Sequence, residues 1–142
     1  MEQKSKSTLA LMEQVIMILV FAVTAAFCVQ AFVKAELLSR QLSERDKAVV
    51  VCQTAAETVK ALHGNMEQAA DFLGGTAGKE EFVLYYSKTW EHVSKQEAEY
   101  TLLLSLQEET EYLAKGEVTV FSATGEEIFS LPVNWQREVS HE

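Results

Sequence analysis

Residues 15–33 read V-I-M-I-L-V-F-A-V-T-A-A-F-C-V-Q-A-F-V, a run with no charge and with Gln30 as its single amide side chain. As a helix rising 1.5 Å per residue this run is about 28 Å long, close to the thickness of a bilayer's hydrocarbon core. Such a segment spans a membrane or is destined for one. Lys4, Lys6 and the terminal amine precede it, so the positive-inside rule predicts a cytoplasmic leader over 1–7 and an exported C-terminal part, although Lys34, Arg40, Arg45 and Lys47 follow on the other side.

The apolar pattern does not stop with the run. Leu37, Leu38, Leu42, Val49, Cys52, Ala55, Ala56, Val59 and Leu62 recur mostly three or four residues apart, with Glu, Arg, Lys and Gln between them. That spacing predicts one helix in two halves, a transmembrane half over 8–34 and an amphipathic continuation over 35–63. Gly64 suits the left-handed residue that ends a helix. Asn65 can cap a short second helix, with Gln68 at the reciprocal capping-box position, and Gly74-Gly75 closes it after Phe72 and Leu73.

From Glu81 onward the period becomes two. Segments 82–86, 98–106, 117–121 and 127–131 are rich in apolar, β-branched or aromatic residues, which predicts about four strands. Thr124-Gly125 suits a tight hairpin turn, and Pro132 confines 133–135 to a strand edge or a loop. The expected fold is α+β: a long N-terminal helix whose amphipathic half packs on a small antiparallel sheet, with 64–142 forming an extracytoplasmic domain. Cys28 and Cys52 both fall on the helix, roughly 36 Å apart if it is unbroken, too far for an intrachain disulfide.

Charge narrows the function classes. Asp and Glu number 21 against 12 Lys and Arg, a net −9, and no stretch concentrates the cations that a phosphate backbone requires, so this chain alone is not expected to bind nucleic acid. Gly74-Gly75-Thr-Ala-Gly78-Lys79-Glu80 superficially suggests a phosphate loop. A Walker A sequence, however, needs four residues between its glycines and Ser or Thr after the lysine, so a plain loop is the expectation. His63, His92 and His141 lack metal-ligand spacing and are expected on the surface.

Only Asp46 and Asp71 supply aspartate, and no nucleophile motif appears, so neither an enzyme, a cofactor nor a small-molecule ligand is indicated. Trp90, Tyr100, Tyr112 and Trp135 are expected as core or edge packing, and Gln107-Glu-Glu-Thr-Glu111 as a solvated loop.

The residues Lys6-Ser-Thr-Leu-Ala-Leu-Met-Glu13, followed by Gln-Val-Ile-Met-Ile-Leu-Val-Phe-Ala-Val, place a polar leader and one carboxylate ahead of an apolar helix. With the long helix and the sheet behind it, this order resembles the type IV pilin and type II secretion pseudopilin family, most closely a minor member with a degenerate leader. In that family a peptidase cuts after a glycine, and a glutamate near the new N-terminus pairs with a neighbouring subunit's terminal amine. The resemblance implies a leader-cleavage junction at Thr8-Leu9, with Thr8 standing where the family has glycine, and makes Glu13 the subunit-pairing residue. It further implies a single-pass structural subunit of the bacterial cytoplasmic membrane, with lipid and other pilin-like subunits as partners.

Glu13 has a physical case of its own. A carboxylate costs about 2.5–3.5 kcal/mol at the centre of a membrane helix and less near an end, so one at the edge is paired, protonated or drawn to the headgroups. The plain reading is a residue that marks the start of the span. Two other functions fit the same order of segments: an anchored accessory protein that binds a partner without entering a filament, and a secreted protein cleaved near Val29-Gln30-Ala31. Against the second, the run exceeds the usual 7–15-residue signal core and the helical pattern continues past the site.

Overall fold

A computed structural model describes residues 2–138. Helix α1 occupies Glu2–Ala61 and α2 Met66–Leu73. Five strands follow, β1 (Thr76–Ala77), β2 (Glu81–Tyr86), β3 (Tyr100–Glu109), β4 (Leu113–Ser122) and β5 (Glu127–Gln136). The chain divides into two compact units, Met1–Leu42 and Ser43–Glu142. The first of these is α-helical throughout its described residues.

No glycine or proline occurs before Gly64, so nothing in the backbone chemistry interrupts α1. Its end is built as the sequence indicates: Gly64 takes φ +83° and donates its N–H to Val59 O at 2.9 Å. The Asn65 side chain accepts from Gln68 N at 3.1 Å and caps α2. The Asn65 N–H is bonded to Leu62 O. Gly74, at φ +81°, closes α2.

In the second unit, residues 43–61 of α1 lay one face on the sheet. Ala48, Cys52, Ala55, Ala56 and Val59 are buried, while Val49 and Leu62 are only partly covered. Opposite them stand Phe82 and Leu84 of β2, Leu102 and Leu104 of β3, Val118 and Val120 of β4, and Val133 and Trp135 of β5. Each fully buried large side chain contributes roughly 1.5–3 kcal/mol of transfer free energy. Among the described residues no polar or charged side chain is buried.

The sheet is an antiparallel meander in the order β1-β2-β3-β4-β5, one strand more than the sequence indicates. The extra strand, β1, comes from the glycine-rich segment read as a loop, where Thr76 pairs with Val83 and Ala77 with Phe82. Two residues are too few to show a period. The acidic segment 107–111 is likewise not all loop: β3 runs through Glu109, with a bulge between Leu106 and Glu108 and with Glu108 opposite Lys115. Pro132 does not stop β5, because that strand is the last in the sheet and pairs on one edge only. The Thr124-Gly125 turn is as expected, with Gly125 at φ +83° donating to Ser122 O.

The aromatic residues divide. Trp90 stacks on Tyr100 with ring centroids 4.1 Å apart, and Trp135 is buried, but Tyr112 is 63% exposed and packs no core. Trp90 also holds a left-handed φ of +64°, uncommon for a bulky residue, at the turn closed by its own N–H to Ser87 O. His63 and His92 are exposed as expected, and His141 lies outside the described residues.

Candidate functional site

The apolar segment begins on α1 where the polar leader ends. Leu9, Val15, Ile18, Phe21, Phe27 and Phe32 are each more than half exposed, and none of the apolar window is covered by the rest of the chain. The helix is long and apolar enough to cross a membrane. Backbone groups inside it are satisfied by the helix itself, and Thr24 Oγ1 donates to Val20 O at 2.8 Å, which disposes of the one hydroxyl in the run.

Glu13 lies on this helix two residues before the run, with its side chain exposed. Among the described residues it belongs to no ion pair. Thr8 and Leu9 are helical too, and Thr8 Oγ1 donates to Lys4 O at 2.8 Å. At 100° per residue Met17, Val20, Thr24, Phe27 and Ala31 lie on the same side of the helix as Glu13, so that side carries bulky as well as small residues. Past the run, Leu37, Leu38 and Leu42 remain more than half exposed, while Glu36 and Arg40 pair with each other at 2.7 Å.

Elsewhere the polar groups serve the fold. Glu117, half-buried on the sheet's outer face, accepts from Gln107 Nε2 at 2.6 Å and from Ser130 Oγ, with Thr119 Oγ1 3.3 Å from that hydroxyl. No sequence signal marked this group, because its members are brought together only by the β3–β4–β5 register. A polar cleft of about 440 Å³ is lined by His63, Lys79, Glu80, Glu109 and Arg137 among others, but Arg137 is already held by Glu109 at 2.8 Å and Thr110 O at 3.0 Å. Among the described residues no three His, Cys, Asp or Glu side chains gather to hold a metal.

Burial pushes the Cys52 thiol up to about 12 and makes it a poor nucleophile. Cys28 is exposed on α1, and both thiols are free. Comparison of the chain with protein-family models, with curated proteins and with solved structures finds no match.

Proposed function

We propose that the chain is a pilin-like or pseudopilin-like structural subunit, anchored in the bacterial cytoplasmic membrane by a single span. The N-terminus is cytoplasmic, the sheet domain lies outside the cytoplasm, and subunits associate through their N-terminal helices. One observation carries the reading: α1 is a single element whose apolar run is wholly uncovered, while its last turns are the core of a folded domain. A helix used that way offers its free length to lipid or to other helices. Its business is assembly, with no chemistry asked of it.

In this reading Glu13 pairs with an amine of a neighbouring subunit in a low-dielectric setting. Glu13→Ala should leave insertion intact, since losing a charge makes the segment more apolar. The test is crosslinking in membranes between single cysteines placed along residues 15–30, in a Cys28→Ser, Cys52→Ser background. Yields should fall about threefold with Glu13→Ala, matching the roughly 0.6 kcal/mol typical of a polar contact between membrane helices. Equal yields would leave the chain a single-pass accessory protein whose carboxylate only marks the membrane boundary. Against cleavage as a secretory signal stands the length of the apolar run, which exceeds the usual 7–15-residue signal core.

A further inference from the structure

We draw no further inference here: the strongest candidate, the patch of α1 just past its apolar run where Leu37, Leu38 and Leu42 stand exposed, is an unpartnered helix face, and nothing in the structure shows what covers it.

Discussion

Gly64 and Gly74 share a left-handed backbone, φ +83° and +81°, and differ in what surrounds them. A Cβ on Gly64 would run into the Trp135 indole, whereas one on Gly74 would meet nothing within 4 Å. Alanine at either position carries the left-handed penalty of roughly 1–2 kcal/mol, but only Gly64→Ala must also displace a buried tryptophan. Thermal unfolding of the two variants should therefore rank Gly64→Ala below Gly74→Ala, and equal melting temperatures would mean that Trp135 does not rest on that turn. A second consequence concerns alkaline pH. Burial pushes Cys52 up to about 12 from 9.0, and Tyr86 and Tyr100 up to about 12 from 10.0, with Cys52 acting on Tyr86 and the Glu44 carboxylate on Tyr100 as lesser causes. The folded chain keeps protons that the unfolded chain releases, so the stability these groups lend is whole below pH 9 and is lost as pH rises toward 12. The urea midpoint should fall from about pH 9 upward. Cys52→Ala should delay the onset of that fall to about pH 10, and an unchanged onset would remove the thiol from the account.

The elements were legible where local chemistry and packing agree. Helix α1 announces itself through the absence of Gly and Pro before Gly64, and the caps at Gly64, Asn65 and Gly74 through residue types that few other positions require. Strand lengths were not legible where tertiary contacts override propensity. Strand β4 begins at Leu113, ahead of the β-rich 117–121, because Ala114 and Gly116 face Trp135 and Val133 across the β4–β5 register. Gly116 is there for room: a Cβ would come within 2.8 Å of both Ser105 O and the Trp135 ring. Likewise Glu108 and Glu109 extend β3 by pairing with Lys115 and Ala114 of β4, with the Lys115 and Arg137 side chains beside their carboxylates at 3.3 and 2.8 Å. Propensity alone says that valine at 116 should strengthen a strand. The packing says the reverse, and Gly116→Val should destabilise the domain by about 1–3 kcal/mol while shifting tryptophan emission as Trp135 is displaced. Stabilisation with unchanged emission would show that propensity wins at this position.

Both margins of the sheet discourage growth by added strands. On one side β1 has two residues, and the rest of β2 is closed by the Tyr86–His92 bridge and by Val93 N donating to Tyr85 O at 3.1 Å. On the other, β5 carries Pro132 at its middle, and a proline at an edge withholds the donor that a new strand would need. Association by adding strands at the sheet margins is thus disfavoured. The second unit also contains the core, since among the described residues every buried side chain lies between Ala48 and Trp135. A fragment starting at Ser43 should therefore be a soluble monomer with helix and sheet in its circular dichroism spectrum. The full chain should stay in the membrane fraction through alkaline carbonate, with residues 15–33 present in its intact mass. A membrane-free product beginning near Phe32 would instead establish signal-peptide cleavage and remove the anchor. A fragment that aggregates although the full chain is membrane-bound and folded would show that the domain does not fold without residues before Ser43.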